Sequence, residues 1–137
     1  MSIISIIGSG GMAAAIGGLA AKAGHTVEVM SRDAAKARAL TEQVGAGAHV
    51  VKAFNTIFGH VLAKGGRLDA FIAADDADAK ASVSTFLESL GLRPLDVGGL
   101  RMAQTLEALG LMMIGLAKNG AGTWDIAMNV DIGSNRL

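Results

Sequence analysis

Cysteine is absent from this chain, which removes disulfides and thiol chemistry and fits a cytoplasmic protein. Aromatic residues make up only 4%, so the core has to be built from Ala, Val, Ile, Leu and Met. One proline stands against 19 glycines, a balance that suits tight turns and helices packed closely on a sheet. Neither sign of charge is in excess, since 12 basic and 12 acidic residues give a formal net charge of zero. That balance leaves no electrostatic footprint for nucleic acid or for an anionic membrane. His25, His49 and His60 fall in unrelated elements without ligand spacing, so no metal site is expected. No Ser-His-Asp or Cys-His set can be assembled, and no catalytic side chain is expected. The first apolar run has no basic region before it and is too short and glycine-broken for a signal peptide. Leu106 to Leu116 is likewise too short to span a bilayer.

What is present fits one domain covering residues 1–137, with 51% hydrophobic and 18% charged residues. The chain is organised around its first stretch, where Ile3-Ile4-Ser5-Ile6-Ile7 runs into Gly8-Ser9-Gly10-Gly11-Met12-Ala13. β-Branched residues, then glycines, then small helix-tolerant residues read as strand, tight turn and helix. Gly8 permits the turn, Gly10 removes a Cβ that would block a pyrophosphate, and Ala13 lets the helix pack close to the strand. A GxGxxA string is a weak signal alone. Here a strand precedes it and a helix follows it, the context in which free N–H groups at a helix start favour phosphate.

The rest of the chain alternates between the two periodicities. Met12 to Ala23 reads as a helix stopped by Gly24, and Thr26 to Met30 as the second strand. At that strand's end an NAD-binding fold usually carries an acid for the ribose hydroxyls. This chain offers Ser31 and Arg32, with Lys36 a helical turn further on, chemistry that suits a 2′-phosphate and therefore NADP. The plainer alternative is a solvated helix start with ordinary surface charges. His49 to Phe54, Leu68 to Ala73 and Leu92 to Val97 read as further strands, with Pro94 marking an edge or a strand start. Asn55-Thr56 opens a short helix ending near Gly65. Asp75, Asp76 and Asp78 open a helix to Leu90, and their spacing is better explained by capping than by a metal. Leu100 to Asn119 is the longest helix, with Met102, Leu106, Leu109, Met113 and Leu116 as an apolar stripe widened by Leu111, Met112 and Ile114.

From Ile3 to Val130 the chain resembles the NADP reductases that use the deazaflavin coenzyme F-420, especially their actinobacterial branch. The resemblance is carried by Gly8-Ser9-Gly10-Gly11-Met12, Ser31-Arg32-Asp33 and Val51-Lys52-Ala53-Phe54-Asn55-Thr56. It continues in Phe71-Ile72-Ala73-Ala74-Asp75-Asp76, Leu90-Gly91-Leu92-Arg93-Pro94 and Leu106-Glu107-Ala108-Leu109-Gly110-Leu111. It implies hydride transfer between NADP(H) and the deazaflavin, held face to face without a protein nucleophile. It further implies pyrophosphate at Ser9 to Met12 and 2′-phosphate at Ser31, Arg32 and Lys36. Ala53 would lie by the nicotinamide, and Phe54, Asn55 and Trp124 would line the deazaflavin side.

The chain also departs from the family. It passes from Gln43-Val44-Gly45 almost directly into His49-Val50-Val51, so the middle of the dinucleotide domain is missing, by natural truncation or by deletion. The fold expected is α/β, a shortened Rossmann-like, doubly wound and mostly parallel sheet of about five strands, in order 2-1-3-4-5. A long C-terminal helix and tail, 99–130, would form the deazaflavin side or a dimer interface. Exposed edges left by the missing strands favour a homodimer, with or without exchanged elements. The alternatives are a non-catalytic NADP-binding module and a truncated, domain-swapped form that binds no ligand.

Overall fold

A computed structural model describes residues 3–7, 11–30 and 51–133. The expected strand, turn and helix at the start of the chain appear as β1 (Ile3–Ile7) and α1 (Gly11–Lys22). β2 (Thr26–Met30) pairs with β1 in parallel, with Ile3 opposite Thr26 and Ile7 opposite Met30. α1 ends as the glycine predicts. Gly24 adopts a φ of +83°, His25 donates its N–H to Ala20, and Gly24 donates to Ala21, the paired bonds of a Schellman cap.

The second half holds α2 (Gly59–Lys64), β3 (Asp69–Ile72), α3 (Ala77–Ser89), β4 (Arg93–Asp96) and α4 (Ala103–Lys118). A 3-10 turn, Leu100–Met102, leads into α4. β3 and β4 are parallel, with Ala70 opposite Pro94. Asp76 caps α3 by accepting the Ala79 N–H at 2.7 Å, whereas Asp75 accepts the Leu100 N–H at 2.9 Å instead of capping this helix. α3 closes on Gly91, with φ +82°, and Leu92 donates back to Leu87, repeating the cap of α1.

β3 is covered on both faces, as a strand in an α/β layer must be. Ala70 and Ile72 join Ala15 and Ala20 of α1, Ile57, Leu62 of α2, Leu87, Leu90 and Leu92 in one buried cluster. Phe71 and Ala73 point the other way, onto Leu106 of α4. The small residues of α1 thus do what alanines do, letting a helix lie close.

Three details of the expected fold differ in the structure. In place of one sheet of about five strands, the described residues hold two separate two-stranded parallel sheets, β1–β2 and β3–β4. Those two pairings are the outer neighbours of the order 2-1-3-4-5. The strand expected at His49 to Phe54 is reduced, within the described residues, to an antiparallel bridge between Lys52 and Ala73. Two residues after Lys52, Phe54 has a φ of +66°, which takes the backbone out of the extended region. The apolar stripe of α4 also ends differently. Leu106, Met113 and Ala117 are buried, whereas Leu111, Met112 and Leu116 face solvent.

Residues 123–133 have no regular structure, yet they are tied down. Asp69, 2% exposed at the start of β3, receives paired hydrogen bonds from Arg93 at 2.6 Å and the Val130 N–H at 2.6 Å. Arg93 also donates to the Val130 carbonyl, and Asn129 Oδ1 accepts the Asp69 N–H. The Arg93 hydrogen bonds hold the Asp69 carboxyl below the usual carboxylate range; burial opposes them, and the Val130 N–H adds to them. A depressed pKa gives stability that is present above the unfolded value and is lost as pH falls through the folded one. Asp69→Asn should therefore cost about 3 kcal/mol in urea unfolding at pH 7, the low end for a broken buried pair because Arg93 keeps some water. The variant should also lose the part of the acid sensitivity that lies below about pH 4. Equal stability at pH 7 would show that the pair does not hold strand and tail together.

Candidate functional site

α1 begins at Gly11, and no acidic residue lies in its first turn to offset the positive end of the helix. The start of α2 abuts it. A Cβ built on Gly59 would lie 3.2 Å from the carbonyl carbon of Gly11 and 3.2 Å from the nitrogen of Met12. Glycine at 59 is what lets the two helix starts meet, whereas a Cβ at Gly11 would meet nothing within 4 Å.

The turn that delivers α2 is Asn55 to Phe58. Ala53 and Phe54 pack against the same buried cluster as Met12, so the turn is anchored beside the start of α1. α4 closes it from behind. Asn55 Nδ2 donates to the Leu106 carbonyl, and Lys52 forms an ion pair with Glu107 one residue further along. Gly110 permits this approach, since a Cβ there would lie 2.8 Å from the Asn55 carbonyl oxygen. Asn55 Oδ1 is buried and has no hydrogen-bond partner.

Trp124 completes the neighbourhood. Its ring stands edge-on to Phe58, with centroids 5.4 Å apart, and Phe58 stacks on His60. His60 donates Nε2–H to the Trp124 carbonyl at 2.9 Å, and Lys64 pairs with Asp125 at 2.6 Å. That pairing holds the Asp125 carboxyl below its usual range. Trp124 remains 45% exposed, leaving an aromatic surface open beside α2.

Of the residues expected to bind cofactor, Gly11, Met12, Ala53, Phe54, Asn55 and Trp124 lie around this junction. Gly8, Ser9, Gly10, Ser31, Arg32 and Lys36 lie outside the described residues. Reading the sequence alone missed Gly59, Gly110 and Leu106 as parts of the site. Gly110 falls inside a string that carries the family resemblance, but a helical glycine does not announce which backbone it meets. Among the described residues no group of three or more His, Asp or Glu side chains could hold a metal ion. A concavity lined by Arg67, Glu88, Gly91, Leu92, Arg93 and Pro94 lies at the starts of β3 and β4. That is the wrong end of a parallel sheet for a ligand, since ligands lie beyond the carboxyl ends of the strands.

Residues 3–59, which run from β1 through this turn, match the family of NADP oxidoreductases dependent on coenzyme F-420. Over 68 residues, 47% of the chain, it is 38% identical to the metalloreductase STEAP3 of Rattus norvegicus, of which the match spans only 14%. The fold is similar to that of a proposed F-420-dependent NADP-reductase from Arthrobacter sp. FB24. The TM-score is 0.73 at 18% identity, covering 96% of this chain and 99% of that one. A hypothetical protein from Sinorhizobium meliloti is also similar, with a TM-score of 0.54 at 18% identity over 74% of this chain and 87% of the other. The architecture is thus α/β and Rossmann-like.

The backbone at Phe54 yields a prediction about the turn. Alanine normally stabilises a chain relative to glycine, but at a φ of +66° its Cβ is strained. Both Phe54→Ala and Phe54→Gly lose the ring's packing, so their difference isolates the backbone. Phe54→Gly should be the more stable by about 1 kcal/mol in chemical unfolding. The ordinary order, alanine above glycine, would mean that the left-handed turn does not form.

Proposed function

We propose that the chain binds NADP(H) at the junction of α1, the Asn55 turn and α4, and exchanges a hydride between it and the deazaflavin coenzyme F-420. The observation that carries this reading is the family match of residues 3–59 ending on the turn that abuts the start of α1. The fit of a cofactor to these residues is supported by the orphaned Asn55 Oδ1 and by the open space at Gly11.

In this reading Gly8 to Met12 take the pyrophosphate with backbone N–H groups at the start of α1. Ser31, Arg32 and Lys36 take the 2′-phosphate, and the guanidinium selects NADP over NAD. Ala53 presents a small side chain to the nicotinamide, and Phe54, Asn55 and Trp124 wall the deazaflavin side. Hydride transfer is chemistry the two coenzymes supply when bound; the protein contributes position, orientation and exclusion of water. The sequence passes in few residues from Val44 to His49, which makes turnover the sharper test.

The reading extends to a cytoplasmic homodimer built on the long helix, with or without exchanged elements. Leu111, Met112 and Leu116 are 69%, 52% and 45% exposed along α4, an apolar surface that a second copy would cover. With its 3-10 turn the helix, Leu100–Lys118, is 19 residues and apolar enough by length and composition to cross a bilayer. In this reading the face lies against a second copy instead of lipid.

Titration of the purified protein with NADPH, followed by oxidised coenzyme F-420 in the same cuvette, tests the function. Quenching of Trp124, the single tryptophan, reports binding, and loss of the deazaflavin absorbance reports turnover. Both are expected. Binding alone would favour the non-catalytic module, and neither would overturn the reading. Sedimentation should give a dimer for the native chain and a monomer for Leu111→Lys/Leu116→Lys; a native monomer at micromolar concentration would refute the dimer.

A further inference from the structure

Asn55 holds its amide in a fixed orientation. A carbonyl oxygen can only accept, so the group facing the Leu106 carbonyl must be the NH2, and Oδ1 lies on the other side of the amide. That Oδ1 is cut off from water and has no partner in the protein, an arrangement native chains avoid because the lost solvation is not repaid. Two features maintain it. Phe54, just before, is held in the left-handed region, and Gly110 admits α4 to the Asn55 peptide, where a Cβ would lie 2.8 Å from the backbone oxygen and 3.7 Å from Nδ2. An oriented acceptor kept unpaired in the turn that α4 closes is prepared for a donor that the protein does not itself provide.

We propose that Asn55 Oδ1 accepts an amide N–H from a cofactor ring, and that Gly110 is the residue that positions it. The inference rests on the cofactor reading given above. An amide N–H of this kind is carried both by the nicotinamide carboxamide and by the pyrimidinedione ring of a deazaflavin. Water does not reach Oδ1, so the donor enters with a shift of the turn around Asn55. Asn55 is then a reader of the ring end of the ligand. Gly110 acts only through it, by letting α4 come close enough for Leu106 to fix the amide.

The test compares the native chain with Asn55→Ala, Gly110→Ala and Gly115→Ala by equilibrium titration. The probes are NADPH, its acetylpyridine analogue (a ketone in place of the carboxamide), adenosine 2′,5′-bisphosphate and oxidised coenzyme F-420. The native chain should bind NADPH about tenfold more tightly than the analogue, the scale of one hydrogen bond. Asn55→Ala and Gly110→Ala should lose that preference and still bind the bisphosphate, which has no ring end, as the native chain does. A Cβ at Gly115 meets nothing within 4 Å, so Gly115→Ala should match the native chain throughout. A loss of about tenfold confined to coenzyme F-420 would also support the proposal and assign the donor to the deazaflavin. Unchanged affinity of both variants for NADPH and for coenzyme F-420 would overturn it. Failure of the native chain to bind either coenzyme would overturn the cofactor reading and this inference with it. Asn55→Ser takes the place of Asn55→Ala if the latter does not fold.

Discussion

The close docking of α4 on the Asn55 turn is the contact on which the candidate site depends. It requires a residue without a side chain at Gly110, because the Asn55 carbonyl occupies the space a Cβ would take. Once the helix is that near, the Leu106 carbonyl captures the Asn55 amide, and Leu106 itself seals the outer face of β3 against Phe71 and Ala73. One approach therefore covers a strand and orients a polar side chain together. Close packing makes such a contact all-or-none, since a well-filled interior has little room to absorb a methyl group.

The same economy appears at the other end of β3. The Asp69 carboxylate gathers Arg93 from β4 and Val130 from the tail, so strand pairing and tail docking share one buried charge. A buried carboxylate is tolerated because the guanidinium and the backbone N–H replace its lost water. The tail so anchored runs back past Lys64 and His60, which hold Asp125 and the Trp124 carbonyl, and this sets the Trp124 ring against Phe58. The aromatic edge of the site is thus positioned by ion pairs and backbone carbonyls, in a segment without regular structure.

The elements that depend on local signals were legible in the sequence. Glycines after apolar helices marked the caps at Gly24 and Gly91, β-branched runs marked β1 and β2, and Asp76 marked the start of α3. The two parallel pairings followed from the α/β alternation. What could not be read was contact between distant segments. Lys52 to Phe54 has the composition of a strand, but tertiary packing puts Phe54 at a positive φ and leaves only one bridge to Ala73. Leu116 fits the helical period, yet it is 45% exposed and Ala117 beside it is the buried residue. The roles of Gly59 and Gly110 are distances between backbones, which no single-sequence pattern encodes. The residues proposed to hold phosphate form a motif in the sequence, and half of the expected binding set lies outside the described residues.

The central claim is that the start of α1, the Asn55 turn and α4 together form one cofactor-binding junction. It is tested most directly by recording amide resonances of the isotopically labelled protein during titration with NADPH. The account predicts shifts at Gly11, Met12, Asn55 and Gly110, including the Asn55 side-chain NH2, with Gly91 and Leu92 unmoved. Shifts confined to the concavity around Gly91 and Arg93, or no shifts at saturating NADPH, would contradict it.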